Sequence, residues 1–131
     1  MQKDFDSWNA LKQKLDSLDH LPFFHEKEVW WSSVGINIGS EIYGKGATFS
    51  RPVLILRKFS KRSFLGIPLT TKIKDNFGYH KFLFHGKEIY AVISDIKKMD
   101  SKRLGDKIGE LPSNKFGEIK KEVAKMIFSP Q

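Results

Sequence analysis

The chain has 131 residues, which is enough for one domain with a real core and too few for two. Its hydrophobic share of 40% and charged share of 29% are typical of a globular protein rather than a disordered or fibrous one. The absence of cysteine excludes disulfides, thiolate nucleophiles and cysteine-ligated metals. Because no apolar run is long enough to cross a membrane and the N-terminus has no apolar signal segment, we expect no membrane partner and a cytoplasmic location.

The formal net charge is +8, and one segment carries most of the excess. Residues 57–81 hold seven cations against the single anion Asp75, which gives +6. Aromatic residues alternate with these cations, namely Phe59, Phe64, Phe77 and Tyr79. Cations interleaved with aromatics suit a polyanion with stackable bases, so the pattern favours RNA or DNA over a merely solvated surface.

The first predicted element is a helix over residues 4–19. Apolar residues recur there at spacings of three and four, at Phe5, Trp8, Leu11, Leu15 and Leu18. Leu21-Pro22 ends the pattern. We therefore expect a single domain over 1–131, with a helical extension at 1–24 and the main fold at 27–128.

Several short strands are predicted after this helix. In the first, Trp30 and Trp31 must point to opposite faces because side chains alternate along a strand. One of them can then be core, and the other needs an interface or a base to stack on. Pro68 lacks an N–H and predicts an edge or a bulge at the far end of its strand. The predicted strands are Glu28–Ser32, Val53–Phe59, Phe64–Thr70, His80–Phe84 and Glu88–Ile93.

Two loops, a helical turn and a second helix complete the predicted secondary structure. Residues 39–50 and 72–78 are expected to be loops, and a helical turn is predicted at Ser101–Leu104. A last helix should begin with Ser113 as its N-cap. Its apolar stripe is Phe116, Ile119, Val123 and Ile127. The expected fold is mainly β (α+β): a small, closed or nearly closed β-barrel of about five strands with a helix at each end.

Common catalytic motifs are missing from the sequence. The four histidines have no metal-ligand spacing, so we expect no metal and no cofactor. No nucleophile elbow is present, and the Gly44-Lys45-Gly46 segment is too short for a phosphate-binding Walker loop. Three patches stand out instead: Gly39-Ser40-Glu41 with Arg51-Pro52-Val53, then Ile67 to Thr71, and then Val92 to Leu104.

In order along the chain, these patches resemble the MazF/PemK family of toxins from bacterial toxin–antitoxin pairs. That family has a GSE turn, an RPV-plus-apolar strand, a PLT/S strand end, and an S-Q-I-R-T-x-D-x-x-R-L run before its C-terminal helix. The matching residues here are Gly39-Ser40-Glu41, Arg51 to Leu56, Pro68-Leu69-Thr70-Thr71 and Ser94 to Leu104. Two positions depart from the pattern, because Asp95 replaces the usual glutamine and Lys97 replaces the usual arginine.

The resemblance implies a metal-independent, sequence-specific endoribonuclease on an SH3-like barrel. Such enzymes act as homodimers on single-stranded mRNA, where the ribose 2′-oxygen attacks the adjacent phosphate. It also implies a cognate antitoxin with an acidic, flexible segment that could cover the basic groove.

The resemblance also implies roles for individual residues. Arg51 would stabilise the charge on the phosphate, Thr70 would donate its hydroxyl, and Glu41 would be the first candidate for the general base. Asp95 and His80 are the alternative bases. The implied RNA-binding residues are Ser40, Lys45, Thr71, Lys72, Lys74, Ser94, Asp95 and Lys97.

Two other function classes stay in view. The departures at Asp95 and Lys97 motivate a non-catalytic nucleic-acid-binding barrel protein. A gyrase poison like the CcdB toxins is disfavoured, because those proteins finish with Trp-Gly-Ile and this chain finishes with residues 126–131, MIFSPQ.

Overall fold

The computed structural model describes residues 21–33, 50–72 and 77–129. The predicted helix at 4–19, the loop at 39–49 and Lys74 lie outside these residues. The described part contains seven strands and one long helix. They are β1 (Glu28–Ser33), β2 (Ser50–Lys58), β3 (Ser63–Thr70), β4 (Tyr79–Phe84), β5 (Lys87–Val92), β6 (Lys97–Asp100), β7 (Leu104–Glu110) and α1 (Ser113–Phe128).

All seven strands belong to one sheet in the order β4-β5-β3-β2-β1-β7, with β6 paired to β3. Every pairing is antiparallel. Within the described ranges no ladder joins β4 to β7, so the sheet is not a closed barrel. The mainly β architecture is therefore confirmed. Of the expected closed or nearly closed barrel of about five strands, the closed form is wrong, because the described strands form an open seven-stranded sheet.

The two edges of the sheet still approach each other closely. Gly109 on β7 lies against the end of β4, where an added Cβ would be 2.9 Å from His85 Nε2 and 3.0 Å from Phe84 Cζ. Phe84 and His85 stack with their ring centroids 4.1 Å apart. Only a glycine leaves room for these rings, so β7 can curl toward β4 without a backbone ladder.

Strand β2 is buried on both of its faces. Leu54 and Leu56 pack into the cluster that also holds the helix residues Phe116, Ile119 and Val123. Val53 and Ile55 pack on the other face with Phe24, Trp30, Phe64, Met99 and Leu104. A strand covered on both sides gains from apolar residues at every position, which explains the uninterrupted VLIL run.

The five predicted strands are confirmed within two or three residues at their ends, but β6 and β7 were not predicted. Strand β6 consists of Lys-Lys-Met-Asp, and β7 contains two glycines and three charged residues. Neither segment alternates cleanly. Pairing with β3 and β1 supplies the strand preference that their own composition lacks.

The end of β3 beyond Pro68 has a ladder on one side only, because Leu69 and Thr70 pair with β5 while the ladder to β2 ends at Pro68 opposite Val53. This pairing agrees with the edge that Pro68 predicts. The β4–β5 turn consists of His85 and Gly86, both with positive φ.

The predicted N-cap at Ser113 is wrong, because Ser113 is the first residue of α1 and Pro112 is the N-cap, with no side-chain capping bond. The Ser113 hydroxyl instead accepts a hydrogen bond from Lys27 Nζ at 3.1 Å. The last residue of the predicted stripe, Ile127, is 57% exposed rather than buried.

Candidate active site

An open depression of about 290 Å³ lies where the start of β2 meets the end of β3. Its polar lining consists of Ser50, Arg51, Thr70 and Thr71. Its apolar lining consists of Trp31, Pro52, Leu69 and Ile89. The structure therefore brings Arg51, Thr70 and Thr71, which are separated by about twenty residues in the chain, into one site.

Strand register explains why Arg51 and Thr70 meet. Val53 of β2 pairs with Pro68 of β3. This is the outermost pair of the β2–β3 ladder, and because the strands are antiparallel, the start of β2 with Arg51 and the end of β3 with Thr70 lie at the same end of the ladder. The pairing continues across the sheet, because Ser32 of β1 pairs with Arg51 and Tyr90 of β5 pairs with Thr70.

A hydrogen bond fixes the position of the Thr70 hydroxyl. Its Oγ1 accepts a hydrogen bond from the backbone N–H of Lys72 at 3.2 Å, which closes a short turn after β3. A hydroxyl that accepts through a lone pair still has its own proton to donate. Thr70 is half-buried and Thr71 is exposed, so the more ordered hydroxyl belongs to Thr70.

The Arg51 side chain is exposed, and within the described residues it makes no ion pair or side-chain hydrogen bond. Pro52 follows it directly and pairs with Trp31, so the backbone that carries Arg51 is fixed in β2. A guanidinium on a rigid strand, with its donors unused, is well suited to bind an anion.

Three of the predicted RNA-binding residues lie apart from the depression. Ser94 and Asp95 are in the 3₁₀ turn Ile93–Asp95, which follows the far end of β5. Lys97 pairs with Gly66, four residues before Thr70 on β3, or about 13 Å along the strand. All three are exposed, so they form a second polar region on the same chain rather than a wall of the depression.

Of the other predicted site residues, one adjoins the depression, one lies on β4 and four lie outside the described residues. Lys72 is exposed and adjoins the depression through its bond to Thr70. Ser40, Glu41, Lys45 and Lys74 lie outside the described residues, so their predicted roles stay predictions. The alternative base His80 is half-buried on β4, where its Nε2 is buried and meets no hydrogen-bond partner in the described part of the chain.

Trp31, Ser50 and Ile89 line the depression but were not predicted as site residues. Strand alternation did indicate that one of the two tryptophans would be exposed, and Trp31 is that residue at 43%. Ser50 and Ile89 had no distinguishing signal, because neither residue type nor spacing marks a position that only cross-strand register brings to the depression.

Glu28, at the start of β1, has a pKa that its surroundings shift. Burial alone would raise the pKa of this carboxyl, since only 6% of the residue is exposed. Hydrogen bonds from Trp30 Nε1 at 2.9 Å and the His25 N–H at 2.8 Å, with the Lys107 ammonium at 3.1 Å, outweigh burial. The pKa of Glu28 therefore lies below its usual value, and this cluster is structural rather than reactive.

Among the described residues, no group of three or more histidine, aspartate or glutamate side chains is placed to hold a metal ion. No helix among those residues is long and apolar enough to span a membrane.

The model of one family matches residues 25–127, and it describes a PemK-like, MazF-like toxin of a type II toxin–antitoxin system. This chain belongs to that family. The resemblance indicated by the four motifs is thereby confirmed, and the match covers every described strand and nearly all of α1. No curated protein sequence matches this toxin.

Solved structures show the same fold at low identity. A MazE–MazF structure from Deinococcus radiodurans is 14% identical with a TM-score of 0.64, covering 83% of this toxin and 100% of that chain. A mycobacterial endoribonuclease in complex with its cognate antitoxin is 16% identical with a TM-score of 0.62, covering 83% and 99%. The Mycobacterium tuberculosis toxin MazF-mt6 is 14% identical with a TM-score of 0.57, covering 79% and 99%.

Proposed function

We propose that this toxin is an endoribonuclease that cleaves single-stranded RNA without a metal ion, with Arg51 and Thr70 at the reacting phosphate. The observation that carries the proposal is that these two residues, from different motifs, line one depression in a chain of this family. The mycobacterial structural neighbour that is described as an endoribonuclease is consistent with this activity.

The two side chains suit the charge that develops during phosphoryl transfer. The transition state gathers negative charge on the phosphate oxygens, and Arg51 supplies a permanent positive charge with planar donors. Thr70 adds a hydroxyl proton from a strand end whose geometry the Lys72 N–H fixes. Donors that are already oriented stabilise such a state without reorganising, and each is typically worth about 10²–10³ in rate.

In the proposed reaction the ribose 2′-oxygen attacks the adjacent phosphorus, and the bond from phosphorus to the 5′-oxygen breaks. The products are a cyclic phosphate and a free 5′-hydroxyl. A base takes the 2′-proton, and the leaving 5′-oxygen gains a proton. We assign the base to Glu41, because in the sequence it belongs to the predicted loop that leads into Arg51. Asp95 is disfavoured, since it lies beyond the far end of β5.

The remaining expectations complete the proposal. The protein acts in the cytoplasm as a homodimer, on an RNA target read by loops around residues 42–50 and 72–79. Its inhibitor is a cognate antitoxin whose acidic, flexible segment folds over the cations around Arg51. The net charge of +8 and membership of a toxin–antitoxin family support that partner.

The experiment is to incubate the purified protein with a long RNA in EDTA and to map the fragment ends. Wild-type protein should give discrete fragments with cyclic-phosphate and 5′-hydroxyl ends. Arg51→Ala should lower the cleavage rate by about 10²–10³. Arg57→Ala is the matched control, because Arg57 is an exposed arginine of the same strand that does not line the depression.

The outcomes separate the proposal from its alternative. RNA that stays intact at high wild-type protein concentration, both in EDTA and with an added divalent cation, would refute the nuclease. If such RNA is still bound, with affinity that falls steeply as salt rises, the protein is a nucleic-acid-binding module without catalysis. Cleavage that requires a divalent cation would keep the nuclease and overturn the metal-independent mechanism.

A further inference from the structure

The adjacent tryptophans of β1 have opposite surroundings. Trp30 is 7% exposed, and its indole nitrogen donates to Glu28 Oε1 at 2.9 Å. Trp31 is 43% exposed and lines the depression that contains Arg51 and Thr70. The core therefore explains why a tryptophan is present at position 30. No packing role of this kind explains the partly exposed tryptophan at position 31.

The sheet is irregular at Trp31 itself. In the pairing of β1 with β7, Trp30 lies opposite Lys107 and Ser32 lies opposite Leu104. Trp31 alone therefore faces two residues, Gly105 and Asp106, which is the pattern of a β-bulge on β7. Bulges occur beside active sites, where they redirect a side chain.

The neighbour of Trp31 on β7 also leaves space around the ring. Gly105 has no side chain, and an added Cβ there would lie 3.9 Å from Trp31 Cβ. A larger residue at this position would pack on the tryptophan from the β7 side. The bulge and the glycine together leave the indole partly exposed next to the depression.

The depression has an apolar side and a polar side. Trp31, Pro52 and Leu69 supply flat or compact apolar surface, while Arg51 and Thr70 supply donors for an anion. A single nucleotide would match these two sides, because its aromatic base is flat and apolar and its phosphate is an anion. An unpaired base in single-stranded RNA is typically recognised by stacking on an aromatic side chain.

We propose that Trp31 stacks on the base of a nucleotide adjoining the phosphate that Arg51 and Thr70 hold. This inference rests on the proposed function, because it assumes that the depression binds RNA. Trp31 would then contribute to affinity and to the base preference at that position, without taking part in proton transfer.

The test measures binding separately from cleavage. The probe is a short, labelled, single-stranded oligonucleotide of random sequence with 2′-deoxyriboses, which lacks the attacking 2′-oxygen. Fluorescence anisotropy gives its affinity for wild-type protein and for Trp31→Phe, Trp31→Leu and Trp31→Ala. Phe128→Ala is the control, because Phe128 is an exposed aromatic at the end of α1, outside the depression.

Stacking predicts that Trp31→Phe keeps most of the affinity, while the leucine and alanine variants bind about 5- to 100-fold more weakly. In the cleavage assay the same two variants should raise KM more than they lower kcat. A merely structural role would instead lower the thermal midpoint of all three variants and leave the affinity of the folded fraction unchanged, which overturns the inference.

Two further outcomes are decisive. Equal binding by wild type and Trp31→Ala, including no measurable binding by either, overturns the stacking assignment. Wild-type protein that binds the probe through Trp31 but cleaves no RNA supports the stacking site and refutes the nuclease, so the two proposals fail on different readouts.

Discussion

At the start of β1 a charged carboxylate is buried, whereas beside its end a charged guanidinium is exposed. Each oxygen of Glu28 is satisfied: Oε1 accepts from the His25 N–H and the Trp30 indole, and Oε2 meets Lys107. Arg51 makes no ion pair within the described residues, although it lies on an equally regular strand.

This difference between Glu28 and Arg51 indicates that Glu28 serves the stability of the fold and Arg51 serves binding. A buried charge with all its partners fixes a strand end, and its removal leaves the partners without an acceptor. A charge held without partners leaves its donors for a ligand, and its removal costs the fold little. The following predictions test this division between the Glu28 cluster (His25, Glu28, Trp30 and Lys107) and the depression around Arg51, beginning with the largest effect.

Thr70→Val should lower the cleavage rate by about 10²–10³ while leaving the thermal midpoint close to wild type. The substitution keeps the shape of the side chain and removes only the hydroxyl, and the Lys72 N–H that loses its acceptor is exposed. Thr70→Ser should restore most of the rate, as measured on the mapped RNA substrate. A full-rate valine variant would remove Thr70 from the reaction.

Glu28→Gln should lower the free energy of unfolding by about 1.5–3 kcal/mol, because hydrogen bonds to the charged carboxylate are lost or weakened. Urea unfolding followed by circular dichroism measures this change. Cleavage well below the unfolding midpoint should be unaffected, since Glu28 does not line the depression. Loss of activity in fully folded Glu28→Gln protein would contradict the division between the two regions.

Stability should fall in acid because of the same carboxylate. The pKa of Glu28 in the folded protein is lowered from its usual 4.5. Its contribution is therefore present above that unfolded-state value and is lost as the pH falls through the folded-state pKa. Unfolding midpoints measured across the acid range should show a shallower decline in Glu28→Gln than in wild type. Parallel curves for the two proteins would exclude Glu28 as a source of the acid sensitivity.

The smallest effects distinguish the two tryptophans by stability alone. Trp30→Phe should cost about 1–3 kcal/mol, because Glu28 loses a donor in a buried site. Trp31→Phe should change stability by no more than about 0.5 kcal/mol, as is usual for exposed positions. Paired urea titrations check both values. Equal losses at the two positions would show that Trp31 is part of the core.

The sequence predicts some secondary-structure elements of this protein better than others. The apolar run from Val53 to Leu56 predicted a buried strand, and the paired tryptophans predicted one buried and one exposed ring. Strands β6 and β7 were missed, because Lys97–Asp100 and Leu104–Glu110 become strands only by pairing with neighbours distant in sequence. The predicted Ser113 cap was wrong, because the helix begins at Ser113 and the Ser113 hydroxyl accepts a hydrogen bond from Lys27 instead.

The sequence by itself determined the family, the mainly β composition and the identity of Arg51 and Thr70 as candidates, because these depend on short motifs and local periodicity. Tertiary structure decided that Arg51 and Thr70 share a depression, that Ser94, Asp95 and Lys97 lie apart from it, and that Trp31 joins it. The physical reason is register: side chains from β1, β2 and β3 become neighbours only when the hydrogen-bonded ladders align the strands, and no single strand encodes that alignment.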